Sequence, residues 1–375
     1  MSAINMTAPP KALLQDPTTK VLICCGSGGV GKTTTSAAIA LHAAELGRKV
    51  VVLTIDPAKR LAQALGVVEL DNTPKQVPLP KSVPGELFAL MLDMRQTFDN
   101  MVLSNASPER AQTILANPVY QTMVTSFSGT QEYMAMEKLS QLLADSRWDL
   151  IVVDTPPSRT ALDFLDAPKR MGGFLDGKLI RLLTKQGRGV GRVMSGVFSV
   201  ALRGISLVIG SQTLHDVSAF VQSVDTVFGG FRERAERTYR LLSRPGTAFI
   251  VVTTAESDSL REAAFFTDRL TAEQLPLSCI LVNRTHPPIS ALSAAQTAQA
   301  AARCDEDPSE PSAQLAKAVL QAHLERLEIG STELRHLRAF TQSHPDVRVI
   351  GVPALPFGAN DLDGLRNLAE QITAD

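Results

Sequence analysis

Cys25-Gly26-Ser27-Gly28-Gly29-Val30-Gly31-Lys32-Thr33-Thr34-Thr35-Ser36 stands between an apolar run, Val21-Leu22-Ile23-Cys24, and a helix-forming run from Ala37 to Leu46. Gly26, four intervening residues, Gly31, Lys32 and Thr33 reproduce the spacing of a phosphate-binding loop. The glycines let backbone N–H groups converge on phosphates, Lys32 supplies positive charge, and Thr33 carries a hydroxyl suited to Mg²⁺. The helix that follows aims its positive end at the same place. A glycine-rich turn without a ligand could share these residues, but the motif requires a buried strand before it and a helix after it, and both are present. The candidate nucleotide-binding residues are therefore Gly26, Ser27, Gly28, Gly29, Val30, Gly31, Lys32, Thr33 and Thr34, with Thr33 as a Mg²⁺ ligand. Gly172, Gly177 and Lys178 repeat the spacing, but Leu179 replaces the hydroxyl residue and no strand precedes them, so that copy reads as a decoy.

Composition narrows the setting. A chain of 375 residues buries a full core, and 37 basic against 38 acidic residues leave no global field for nucleic acid. Its four cysteines include no Cys-x-x-Cys pair, which gives neither a disulfide framework nor a zinc site by spacing. A cytoplasmic protein is expected. Met1 to Lys20 reads as a loose, proline-punctuated tail without a secretory signal. Val193 to Gly210 approaches the roughly 20 residues of a membrane-spanning helix. Arg203 near its middle costs about 2.5 to 3.5 kcal/mol on insertion scales, so the segment reads as part of a soluble protein.

Apolar runs at Val21–Cys25, Lys49–Ile55, Leu150–Val153, Ala248–Thr253, Ser278–Val282 and Val347–Val352 alternate with helical patterns. Strands apolar on both faces imply a parallel sheet covered on both sides, hence an α/β doubly wound, mostly parallel fold. One domain over 21–375 is expected, with helical insertion segments at about 86–147 and 167–245 and a charged helix around Gln314 to Leu327. Val217, Phe220, Val221, Val224, Val227, Phe228 and Phe231 have the spacing of a core-facing helix. From Ala167 to His215, eight basic residues between Lys169 and Arg203 oppose one acid, Asp176. With Met171 and Met194 among them they could meet anionic lipid or an adaptable apolar partner; a solvated basic face is the plain alternative.

Two strand-end loops carry the remaining chemistry. Asp56-Pro57-Ala58 follows the second apolar run, and Asp154-Thr155-Pro156-Pro157 follows the third. In a parallel sheet the carboxyl ends of strands share one edge, so both aspartates should converge on the phosphates. Asp154 ends an apolar strand as a Walker B carboxylate does, holding Mg²⁺ directly or through its water, while Asp56 could orient or deprotonate the attacking water. Either aspartate could instead cap a turn.

These residues resemble the deviant-Walker ATPases of the arsenite-pump type (ArsA-like), whose eukaryotic relatives target tail-anchored membrane proteins. The likeness covers nearly the whole chain: the loop resembles the family's P-loop, Asp56-Pro57-Ala58 its switch I, and Asp154-Thr155-x-Pro157 its switch II. The resemblance implies that Asp56 is the catalytic carboxylate acting with Lys32, that Glu256 contacts nucleotide, that Asn283 selects adenine and that Pro353 lines the base. It further implies a dimer whose helical insertion binds a client or effector. Gln131-Glu132-Tyr133-Met134 and Phe164-Leu165-Asp166-Ala167-Pro168 look most like a bacterial branch.

The chain departs from the family at Ser27, where a signature lysine usually reaches across the dimer to the partner's phosphates. Slow hydrolysis, another cation such as Arg159 or Lys59, or a paralogous partner carrying the lysine are the three explanations, and the partner is favoured. Both a homodimer and such a heterodimer stay open. Cys24, Cys25, Cys279 and Cys304 show no soft-metal arrangement, so neither zinc nor arsenite is expected. A dimeric switch for an apolar or membrane-associated client competes with an ATPase subunit energising an anion transporter and with a MinD/ParA-like positioning ATPase. The long insertion and the missing lysine disfavour the last. A small-molecule kinase or amidoligase would need an acceptor site that nothing in the chain identifies.

Overall fold

Every residue of Val21–Cys25 and of Leu150–Asp154 is buried, so neither strand can face solvent on any side. The computed structural model that shows this describes residues 8–56, 60–118, 120–121, 130–156, 233–234, 236–305, 310–356 and 358–374. Among them, eight strands form one sheet: β1 Val21–Cys25, β2 Lys49–Thr54, β3 Lys75–Gln76, β4 Glu86–Met91, β5 Leu150–Asp154, β6 Thr247–Thr253, β7 Leu277–Thr285 and β8 Val349–Pro353. Their order is β3-β4-β2-β5-β1-β6-β7-β8, parallel throughout except for the short antiparallel β3 at one edge.

Side-chain alternation divides the core in two. In β2, Val50 and Val52 pack on one face while Val51 and Leu53 pack on the other, and in β1 Leu22 and Cys24 oppose Ile23 and Cys25. Helix α1 (Pro10–Gln15), α2 (Lys32–Glu45) and α3 (Arg60–Ala64) cover the first face, joined by the C-terminal helix. On the second lie α4 (Met94–Asn105), α5 (Pro108–Ala116), α6 (Thr130–Ala144) and α7 (Ser257–Ala272). Helix α8 spans Ala294–Arg303, α9 Pro311–Ser343 and the C-terminal α10 Leu362–Thr373. Ala37, Ala38, Ala40, Ala43 and Ala44 of α2 are all buried, small enough for the helix to lie close on the central strands. No helix of the described residues is long and apolar enough to cross a membrane.

Arg48 ties the entry of the fold together. Its buried guanidinium donates to the carbonyls of Leu14 and Asp16 at 3.3 Å each, to Asp149 O at 2.7 Å, and to Thr19 O. The stretch read as a loose tail thus carries a helix from Pro10, with Leu14 fully buried.

Three readings change at their edges. Residues 86–91, expected to open a helical insertion, form β4, whose parallel pairing runs from Glu86 beside Lys49 to Met91 beside Thr54. Its Leu87, Ala89 and Leu90 are good helix formers, and burial between β2 and β3 overrides their local preference. Between Pro74 and Pro84, read as irregular, lies β3, and the charged helix expected to end near Leu327 runs on to Ser343. Pro57 to Lys59, the decoy loop at 172–178, Arg159, the stretches 164–168, 167–215 and 193–210, and the apolar pattern at 217–231 lie outside the described residues.

Candidate active site

The parallel sheet brings the carboxyl ends of β1, β2, β5, β6 and β7 to one edge. Within it Asp154 sits in register with Cys24 of β1 on one side and Thr54 of β2 on the other. The loop leaving β1 therefore meets the carboxylate of β5. Gly26 takes φ +147°, and a β-carbon added there would collide with the carbonyl oxygen of Val252, so no side chain fits. Gly31 takes φ +97° as it turns into α2, and a β-carbon there would collide with Asn283 Nδ2. Only glycine satisfies both demands of conformation and space.

Around Asp154 the hydrogen bonds are few and short. Thr33 Oγ1 donates to Asp154 Oδ2 at 2.7 Å and Thr54 Oγ1 donates to the same oxygen at 2.9 Å. The other oxygen, Oδ1, is buried and has no partner among the described residues. Burial pushes the Asp154 carboxyl up to about 6, although the two threonine bonds and Lys32 pull the other way. A buried carboxylate with one oriented and one orphaned oxygen, next to the P-loop hydroxyl, is a donor set suited to a hard cation such as Mg²⁺. Lys32 is itself buried, its Nζ donating to Ser27 O at 2.8 Å across the loop. Desolvation lowers its affinity for the proton, and the carboxylates of Asp154 and Asp56 partly restore it.

Thr54 is a site residue that the sequence reading missed. Its hydroxyl accepts from the backbone N–H of Asp56 at 3.2 Å while donating to Asp154, so one side chain joins both acidic loops. The available signal was a hydroxyl residue closing an otherwise apolar strand immediately before Ile55-Asp56. Asp56 itself is half-buried at the exit of β2.

The other end of the site is a cleft of about 230 Å³. Gly31, Thr34, Asn283, Arg284, Pro353 and Leu355 are among its walls. Asn283 Nδ2 donates to Val30 O at 2.9 Å and its Oδ1 accepts the N–H of Arg284 at 3.0 Å. One amide hydrogen and one lone pair of Asn283 remain for a ligand. The structure thus gathers Lys32, Thr33 and Asp154 at one end, and Gly31, Thr34, Asn283 and Pro353 at the other. Ser27, Gly28 and Gly29 form the outer turn between β1 and α2, with both glycines exposed and Val30 buried beneath. Glu256 does not join the cleft: it precedes α7 and lines a neighbouring cavity of about 500 Å³ with Arg284, His286 and His336. Cys24, Cys25 and Cys279 are buried, and burial pushes Cys24 and Cys279 each up to about 12, which keeps them as thiols.

A glycine-threaded turn running from a central parallel strand into a helix, bonded to the carboxylate of the adjoining strand, is the construction of a P-loop nucleotide hydrolase. More narrowly, the chain belongs to the anion-transporting ATPase family of ArsA type, whose sequence profile matches residues 19–303. It is similar to proteins named ATPase GET3: that of Podospora anserina is 26% identical over 277 residues, 73% of this chain and 75% of the relative. The GET3 ATPase of Ajellomyces dermatitidis is 26% identical over 274 residues, 72% and 74% of the two chains. That of Mycosarcoma maydis is likewise 26% identical over 272 residues, again 72% and 74%. The chain is accordingly an ATPase that binds nucleotide.

Proposed function

We propose that this ATPase is a Mg²⁺-dependent dimeric switch that couples its nucleotide state to a helical client- or effector-binding part. Residues 21–375 act as one domain, with helical insertion segments from the end of β4 to about 147 and at about 167–245. Support for the switch comes from one observation: Thr54 bridges the backbone of Asp56 and the carboxylate of Asp154, so a change at either loop is felt at the other. Mg²⁺, held by Thr33 and Asp154, would neutralise charge on the phosphates. In this reading Lys32 holds the phosphates, Asp56 orients or deprotonates water, and Asn283 and Pro353 contact the nucleoside, while Glu256, which lines the neighbouring cavity, lies outside that contact. The orphaned Asp154 Oδ1 supports the metal assignment.

Ser27 places no cation across a dimer, so a paralogous partner carrying the lysine completes the site. The client is an apolar or membrane-associated protein, reached in the cytoplasm or at a membrane surface. Limited proteolysis in Mg·ATP and in Mg·ADP tests the coupling: the wild-type digest should differ between the two, and Lys32→Ala should erase the difference. Identical wild-type digests would end the switch reading. Turnover measured with and without a co-purified paralogue tests the partner, and full activity of the isolated chain would dispose of it.

A further inference from the structure

Arg284 is one of two non-glycine residues with positive φ among the described residues, at +58°. It lies inside β7, where the pairing with β8 shifts register between Asn283 and Thr285. The left-handed region is strained for any residue other than glycine. Arginine has no local hydrogen-bonding preference for that conformation, unlike asparagine or aspartate. The strain therefore turns the side chain away from the direction that the strand would give it.

What this turn accomplishes is visible in the two cavities. Arg284 lines both the cleft of about 230 Å³ and the adjoining cavity of about 500 Å³, forming the partition between them. The residue is exposed, and among the described residues its guanidinium has neither hydrogen bond nor ion pair, although Glu256 and Glu328 line the same cavity. Among the described residues that line the smaller cleft, it supplies the only charged side chain and the only long flat one. Pro353 and Leu355 offer that cleft an apolar wall, and Asn283 offers it an amide edge. A heteroaromatic ring with its edge on Asn283 and one face on this wall still needs a partner for its second face. A planar guanidinium stacks on such faces, which an ammonium cannot do.

We propose that Arg284 is a nucleotide-contact residue, its guanidinium stacking on the adenine ring and closing the cleft opposite Pro353 and Leu355. This rests on the reading that the cleft receives the nucleoside. Because the base enters beside the Asn283 amide, the register break at Arg284 sets the edge contact and the face contact with one backbone irregularity.

The test is calorimetric titration of the full chain with Mg·ADP and with Mg·pyrophosphate. The variants are Arg284→Asn, which keeps a residue tolerant of the left-handed region, Arg284→Lys, and Lys32→Ala. Arg284→Gly serves if the asparagine variant does not fold. Loss of stacking should weaken Mg·ADP about five- to tenfold and leave Mg·pyrophosphate unchanged, and lysine should not restore it. Equal weakening of both ligands, or rescue by lysine, would show a phosphate contact and overturn the stacking assignment. Unchanged Mg·ADP affinity would remove the contact altogether. If instead the wild type fails to bind Mg·ADP, or Lys32→Ala binds it as well as the wild type, the reading of the site itself fails, which is a different result.

Discussion

Thr33 Oγ1 and Asp154 Oδ2, 121 positions apart in sequence, are joined by a 2.7 Å hydrogen bond. The bond ties the P-loop to the end of β5, and Thr54 adds the end of β2 through the same carboxylate oxygen. Among the described residues both donors converge on one oxygen and leave the other without a partner. That asymmetry decides what replacing the carboxylate should do.

Asp154→Asn keeps an acceptor for both threonines and removes a buried charge. The folded carboxyl titrates at about 6 against an ordinary value of 3.8, so between these values the folded chain holds a proton that the unfolded chain has released. Stability contributed by that proton is present at low pH and lost as pH rises through about 6. Without nucleotide, the variant should be more stable than wild type at pH 8, by on the order of 1–3 kcal/mol, with the gain vanishing near pH 4. Urea midpoints at the two pH values measure this. ATPase activity should fall by about two orders of magnitude or more at either pH, because the proposed Mg²⁺ site loses a ligand.

If Asp154 holds Mg²⁺ as proposed, the metal and the proton compete for the same carboxyl. Binding of Mg·ADP should release a proton near pH 6 and none near pH 8, with affinity declining below pH 6. Calorimetry in buffers of different ionisation enthalpy reports the proton count. Equal proton release at both pH values would mean that Asp154 does not meet the metal.

Two glycines of one loop should respond differently. At Gly29, φ is +78° but nothing lies within 4 Å of an added β-carbon, so Gly29→Ala should cost only about 1 kcal/mol of backbone strain. At Gly31, φ is +97° and the added carbon meets the Asn283 amide, so Gly31→Ala must also displace that amide from Val30 O. Mg·ADP affinity should drop more than about tenfold in the second variant and little in the first. Melting temperatures and titrations of the pair separate strain from loss of the site.

Arg48→Met keeps the aliphatic stem but leaves the carbonyls of Leu14, Asp16, Thr19 and Asp149 without their shared donor. A loss of about 2–4 kcal/mol follows, read as a lower urea midpoint. ATP turnover at 25 °C should stay near wild type, since none of these groups touches the nucleotide edge of the sheet.

The strands that frame the nucleotide were legible because a parallel sheet covered on both faces must be apolar without alternation, as in Val50-Val51-Val52-Leu53. The P-loop was legible because its glycines answer to backbone demands that act within a few residues. β4 escaped because Glu86-Leu87-Phe88-Ala89-Leu90-Met91 becomes a strand only through its pairing with β2, a contact made across the fold. Arg284 escaped for a related reason: its backbone conformation comes from the register between β7 and β8, which no local pattern encodes. Glu256 was placed at the right strand end, but it opens onto the second cavity.

Thr54→Val is the sharpest probe of communication between the two acidic loops, since it preserves shape and β-branching and removes only the hydroxyl. Asp154 would keep one donor, Thr33, and the backbone N–H of Asp56 would lose its acceptor. With less hydrogen bonding to its charged form, the Asp154 carboxyl should titrate higher still, moving the acid limb of the pH profile upward. Turnover should fall about tenfold while Mg·ADP affinity at pH 8 changes little, because Thr54 touches the loops and lies outside the cleft beside Asn283. Thr54→Ser should recover most of the rate and return the pH profile to its wild-type position. A valine variant with an unchanged pH profile and unchanged turnover would mean that the two loops act independently, and the switch would need another connection.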